Sequence, residues 1–298
     1  MRNFILSADA GCDLSAELCK QYDVKVLPLR YLVGGAEYSS DDGKMPAEKI
    51  CERMLAGDKT STSQANPEEA EKYLRALLSQ GKDVLHVTMS SAMSGTYETM
   101  RKTAEKLNEE FENKIYVVDS LCQCGGYGLL LILVADKAEE ENLDAESAKN
   151  YAEATRLHIL HNFSVDSLTY LARGGRVPSY LATIGNLIKL KPVLHVDDSG
   201  KIVMLKKIIG RRRALDDIAA RFAATYNGSS EKVIICQAVC PDDAEYVKNK
   251  IIALYPDLNV TILPLGPIIV SHSGPGTLAL FFTRRYRRVL RQSQYNRK

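Results

Sequence analysis

Three strand-like, largely apolar runs in the first 120 residues each stop at a polar residue and pass into a helical pattern, and this alternation constrains the fold more than any other feature. Residues 4–7 run into Asp9, residues 84–89 into Ser90 and residues 114–118 into Asp119. Strands that are apolar throughout belong inside a parallel sheet covered on both faces, joined by right-handed strand–helix–strand crossovers. The polar residues then gather at the carboxyl ends of the strands, where open α/β sheets hold their ligands.

The densest such junction lies within residues 83–98, where Ser90, Ser91, Ser94 and Thr96 surround Gly95 between a strand and a helix expected over 96–107. One hydroxyl is enough to cap a helix. Four near one amino end, with free N–H groups and the macrodipole behind them, suit an anion. Residues 59–67 hold a second hydroxyl group that includes Thr62 and Ser63, and they read as a loop leading into a helix over 68–79. Around these, the pattern predicts a helix over 14–22 capped by Asp13, and one strand over 24–33 closed by Gly34 and Gly35. A polar excursion over 38–45 and a short helix opening at Pro46 come next.

Helices expected over 129–139 and 145–160 read as a bridge, which divides the chain into an N-terminal domain, 1–160, and a smaller C-terminal domain, 161–298. The second half carries a strand and helix over 163–175, a helix over 181–190, and a hairpin joining 193–196 to 202–208. A helix opened by Arg211, Arg212 and Arg213 follows, then strands over 232–238 and 258–263 flanking a helix over 242–254. The expected fold is therefore two-domain α/β: a Rossmann-like parallel sheet first, then a smaller α/β domain with a mixed sheet.

The 39 basic and 37 acidic residues nearly cancel, which gives no global field for nucleic acid, although residues 284–298 form a basic tail with seven Lys or Arg. Seven cysteines without a Cys-x-x-Cys pair argue against a disulfide framework and a zinc site. Gly125-Gly-Tyr-Gly128 lacks the dinucleotide-binding spacing, and no P-loop occurs, so neither a nicotinamide cofactor nor ATP is expected on this chain. The start of the chain lacks a signal-peptide pattern, and the apolar run 129–135 is too short to span a bilayer, so the expected location is the cytoplasm.

Of the five histidines, His86, His158, His161 and His195 lie in apolar or amphipathic segments and read as structural. His272 sits between two serines in a turn-rich loop read as preceding a helix, with Gly274 and Gly276 allowing close backbone approach. It has no neighbour at metal-ligand spacing. Two functions stay open on these residues, beside a third reading in which residues 284–298 serve as the basic arm of an interaction protein. One is a carrier that fixes an anion at the hydroxyl clusters; the other is an esterase with Ser94 as nucleophile, His272 as base and Asp9 or Asp119 as orienting acid, though the Gly-x-Ser-x-Gly elbow is absent.

Asp9, Thr62-Ser-Gln64, residues 90–97, Gly174-Gly-Arg176 and residues 272–276, taken in this order, resemble the DegV family over residues 4–282. The resemblance implies a fatty-acid-binding protein without a catalytic centre of its own. Such a protein presents a long-chain acyl carboxylate to a separate ATP-binding kinase subunit, which forms the acyl phosphate used in phospholipid synthesis. It further implies that Thr62, Ser94 and His272 hold the carboxylate, supported by Ser63, Ser91, Gly95, Thr96, Ser273 and Gly274. Arg176 matches a basic residue of the phosphoryl step, and Arg211 a contact with the partner. The sequence departs from the family pattern at Asp9-Ala-Gly, at Met93, and at Ile209, where many members carry arginine.

Overall fold

The computed structural model describes residues 2–181, 190–226, 228 and 232–284. In its first half, chain order is β1 (Ile5–Asp9), α1 (Ala16–Gln21), β2 (Val24–Leu27), β3 (Arg30–Val33), β4 (Ala36–Ser39) and α2 (Ala47–Leu55). There follow β5 (Thr60–Thr62), α3 (Pro67–Leu78), β6 (Val84–Thr88), α4 (Thr96–Glu110) and β7 (Ile115–Asp119). The apolar runs form a four-stranded parallel sheet in the order β2-β1-β6-β7. β1 and β6 are buried at every position, as central strands covered on both faces must be.

The strand expected over 24–33 is two strands. Pro28 has no N–H to offer a ladder, so β2 ends at Leu27 and the chain leaves the parallel sheet. β3 then pairs antiparallel with β4 and with β5, forming a small three-stranded sheet. Thr60 to Thr62 is therefore a strand, not the expected loop: its partner β3 supplies the pairing that the polar local sequence does not announce. Helix α1 also starts later than expected. A 3-10 turn over Ala10–Cys12 intervenes, Ser15 is the cap, and Asp13 stands in a left-handed conformation with its carboxylate accepting from the Gly266 N–H at 3.0 Å.

The second half runs α5 (Cys124–Glu140), α6 (Ala145–Thr155), β8 (Ile159–Ser164), α7 (Leu168–Arg173), β9 (Leu190–Val196) and β10 (Ile202–Ile209). It ends with α8 (Arg211–Thr225), β11 (Lys232–Gln237), α9 (Pro241–Leu254), β12 (Asn259–Pro264), α10 (Pro267–Ser273) and β13 (Leu278–Thr283). Strands β8 to β13 make a mixed sheet in the order β10-β9-β8-β13-β11-β12, with β11 and β12 the parallel pair. The bridge expected over 129–160 behaves unlike a spacer: α5 is buried along most of its length and packs on β8, β11 and β13. Gly126 makes that approach possible, since a Cβ there would lie 2.3 Å from the His161 Nε2. The expected helix over 181–190 and the basic tail fall almost entirely outside the described residues. Among the described residues no helix is long and apolar enough to cross a membrane.

Candidate functional site

The carboxyl ends of the parallel strands open onto a cavity of about 410 Å³, within the range of roughly 300–1,000 Å³ common to ligand pockets. Its wall is mostly apolar, with Met89, Met93, Phe163, Leu171, Ile268 and Phe281 contributing. At one end the lining turns polar, with Thr62, Ser63, Ser91, Ser94, Gly95 and His272.

Two distant segments are fastened together at this polar end. The Thr60 Oγ1 donates to the Ser271 carbonyl at 2.6 Å, and the Thr62 Oγ1 and the His272 Nε2 share a hydrogen bond of 2.7 Å. Strand β5 is thus bound to α10, which Pro267 starts and Gly274, at φ 76°, stops. His272 lies in the last turn of that helix, and the segment after it is the buried strand β13 rather than the expected helix, because Leu278 to Thr283 pairs on both sides within the mixed sheet. A Cβ on Gly174 would lie 2.3 Å from the His272 Nδ1, so only a bare α-carbon lets the ring sit where it does. Burial, and then the nearby Arg176 guanidinium, push the His272 imidazole down to about 4, leaving it neutral at physiological pH. Arg176 also lines the cavity, with its guanidinium donating to the Gly174 carbonyl.

The strand-to-helix junction supplies the other side. The Ser94 and Thr96 hydroxyls share a 2.9 Å hydrogen bond, the Thr96 N–H donates to the Ser94 Oγ, and the Thr96 Oγ1 accepts from the Ala65 N–H at 3.1 Å. Thr96 is wholly buried behind Ser94 and, like Gly274, does not face the cavity. Ser273 does. Arg211 stands elsewhere, its Nε donating to the Asp243 carboxylate at 2.7 Å and its Nη1 lying 3.7 Å from Asp166.

Asp9 and Asp119 are committed to backbone. The Asp9 carboxylate accepts from the Gly11 N–H at 2.9 Å and the Met89 N–H at 3.0 Å, and desolvation in this buried position raises it to about 6. Asp119 accepts from the Ser91 and Leu121 N–H groups, each at 3.0 Å. Among the described residues no hydrogen bond joins Asp9, Asp119 or Ser94 to His272, so a triad is not assembled. Nor does any group of three His, Cys, Asp or Glu among them have the arrangement to hold a metal ion.

Several lining residues escape the sequence. Gln123, Cys124 and His161 face the cavity, with the Gln123 N–H donating to the His161 Nε2 at 3.2 Å and the imidazole edge-on to Phe281 at 5.2 Å. His161 was expected to be structural, and its position in an apolar strand gives no hint that the strand's inner face borders a cavity. Gln64 also lines it, beside the hydroxyls that did stand out.

A family model described as "Uncharacterised protein, DegV family" matches residues 4–285. A DegV domain-containing protein of Clostridium perfringens is 31% identical over 285 residues, covering 95% of this chain and 98% of that protein. A fatty-acid-binding DegV family protein from Thermus thermophilus superposes with a TM-score of 0.83 at 26% identity, covering 95% of this chain and 100% of its own. The fatty acid kinase (Fak) B3 protein of Streptococcus pneumoniae, solved loaded with linoleic acid, superposes with a TM-score of 0.82 at 20% identity, over 95% of this chain and 100% of its own.

Proposed function

The chain belongs to the DegV family, and from that premise we propose that it binds a long-chain fatty acid and presents the carboxylate to a separate ATP-dependent kinase subunit. The observation that carries this reading is the cavity itself: an apolar chamber whose polar end gathers Thr62, Ser94 and His272 from three remote segments. Hydroxyls and a neutral imidazole can donate to a carboxylate without burying a second full charge beside it, while Arg176 lies close enough to lower the His272 pKa. The fatty acid bound by the Thermus thermophilus relative supports the ligand class.

Burial of a methylene contributes about 0.8 kcal/mol, so roughly fourteen of them give on the order of 11 kcal/mol before entropy costs. The acyl chain supplies most of the affinity, and the polar end fixes its direction. The chain itself carries no P-loop, and we assign the phosphoryl donor to a partner. Thr62, Ser94 and His272 are the proposed carboxylate contacts, with Ser63, Ser91, Gly95 and Ser273 around them. Thr96 and Gly274 hold those contacts from behind, and Arg176 faces the phosphoryl group. Arg211 is proposed as part of the surface that meets the partner, in the cytoplasm.

Purified protein mixed with oleate and ATP should form acyl phosphate only when a kinase subunit is added. ATP turnover by the chain alone, above that of a mock preparation, would contradict the assignment. An esterase reading has no support in the hydrogen bonding, and a chromogenic acyl ester should remain intact in its presence.

A further inference from the structure

A second cavity, of about 440 Å³, lies outside the first and shares Ser63 and Gln64 with it. Its remaining lining is Arg30, Glu37, Ala65, Asn66, Pro67 and Glu69, with the Arg30 Nη2 bonded to the Glu69 Oε1 at 2.7 Å and its Nη1 3.9 Å from the Glu37 Oε1. The Gln64 side chain stands at the border. It lies against the bare α-carbon of Gly95, so closely that a Cβ there would fall 1.8 Å from its Oε1.

The backbone on both sides of Gln64 is fixed. The Ser63 N–H donates to the Arg30 carbonyl at 3.0 Å, the Ala65 N–H to the Thr96 Oγ1 at 3.1 Å, and the Asn66 Oδ1 caps the Glu68 N–H at 2.8 Å. The side chain is held far more loosely, by one 3.3 Å hydrogen bond from its Nε2 to the Thr99 Oγ1 at an exposed position. Rotation about its own torsions therefore moves the amide without disturbing the strand that carries Thr62.

We propose that Gln64 is a movable partition between the acyl cavity and the outer groove, and that the groove is the path by which a phosphoryl donor reaches the ligand carboxylate. The proposal rests on the fatty-acid reading above. With the amide on Gly95, the carboxylate end is screened from the groove. With it turned away, the two spaces join beside Ser63, and the terminal phosphate of a nucleoside triphosphate carried by a partner can approach along the groove. A carboxylate oxygen then forms a bond to the terminal phosphorus as the bond from that phosphorus to the nucleoside diphosphate breaks, and the electron pair leaves with the diphosphate. Gln64 is a positioning residue in this scheme; it sets access and does not take part in the bond changes.

Access can be read on the protein alone, without the partner. Protein carrying its fatty acid is treated with a water-soluble carbodiimide and glycine methyl ester, and the acyl amide is measured by mass spectrometry. An odd-chain fatty acid added free in solution reports any ligand that dissociates first. Gln64→Ala should raise the rate of amide formation about fivefold or more, the factor that one neutral hydrogen bond corresponds to. Gly95→Ala should raise it too, because its methyl displaces the amide, and the double variant should be no faster than Gln64→Ala. Gln64→Trp should slow the reaction below wild type. Gln64→Ala reacting at the wild-type rate, with its lipid retained, overturns the partition alone and leaves the ligand reading intact. Wild-type protein that carries no fatty acid overturns the ligand reading and the partition with it. If Gly95→Ala does not fold, the two Gln64 variants still decide.

Discussion

Replacing Thr62 by valine keeps the side chain's shape and removes one hydroxyl, which makes it the cleanest perturbation of the proposed carboxylate clamp. In the free protein that hydroxyl is bonded to the His272 Nε2 at 2.7 Å, so the variant loses this bond between β5 and α10. A neutral hydrogen bond of this kind contributes about 1 kcal/mol to stability. A hydrogen bond to the bound carboxylate contributes more, about 1.5–3 kcal/mol, which corresponds to a loss of affinity of roughly ten- to a hundredfold. The apolar wall is untouched, so binding should weaken and not disappear. Competition against a fluorescent fatty acid measures the affinity, and urea unfolding of the ligand-free protein separates the stability loss from it. Affinity within twofold of wild type would refute the reasoning, because it would mean that the carboxylate does not meet Thr62. Acyl phosphate formation should fall further than affinity, since a carboxylate that is bound but misaligned reacts slowly.

Three further outcomes follow from the same geometry. His272 is held down to about 4 in the fold against an unfolded value near 6.5, so the unfolded chain binds the extra proton between those limits and the contribution to stability is lost as pH falls through them. The stability difference between wild type and His272→Gln in urea titrations should therefore shrink from pH 7 to pH 4, and a difference independent of pH would count against the assignment. Asp9→Asn leaves one of the Gly11 and Met89 N–H groups facing a donor, at a cost of about 1–3 kcal/mol; a melting temperature equal to wild type at pH 8 would rule this out. Ser90→Ala should cost about 1 kcal/mol by removing the hydroxyl that donates to the Gly200 carbonyl at 3.0 Å and accepts from the Ala92 N–H at 3.2 Å, and unchanged unfolding midpoints would show that this tie between the β9–β10 turn and the junction carries no weight.

What the sequence makes legible is local. Val84 to Thr88 and Ile5 to Asp9 are apolar enough to declare buried strands, and the hydroxyls after Thr88 mark the edge that opens onto the cavity without any knowledge of their neighbours. What it hides depends on pairing across long separations. Thr60 to Thr62 is polar and reads as a loop until β3 pairs with it, and the 2.7 Å contact between Thr62 and His272 spans 210 residues. The asymmetry around His272 has the same origin: Pro267 and Gly274 bracket a short helix, but only the neighbours β8 and β11 make Leu278 to Thr283 a central strand. Ser94 and His272 stand out by their local setting as well as by the motif resemblance, Thr62 stands in the second hydroxyl cluster, and the fold brings all three to one cavity. Thr96, Gly274 and Arg211 were singled out with them and face elsewhere, because a motif records which residues travel together and not which way each side chain points. Gln64 and His161 show the converse: amide and imidazole become meaningful only where Gly95 and Gly126 leave space against them.

The central claim is that the chamber behind Thr62, Ser94 and His272 holds an acyl chain, and the content of the purified protein tests it most directly. Protein expressed in a host rich in fatty acids, stripped of loosely held lipid by gel filtration and extracted into organic solvent, should yield close to one long-chain fatty acid per protein by mass spectrometry. Its yield should fall in a Thr62→Val, Ser94→Ala, His272→Ala triple variant. An extract with no stoichiometric fatty acid, from protein that remains folded and refuses added oleate, would contradict the account.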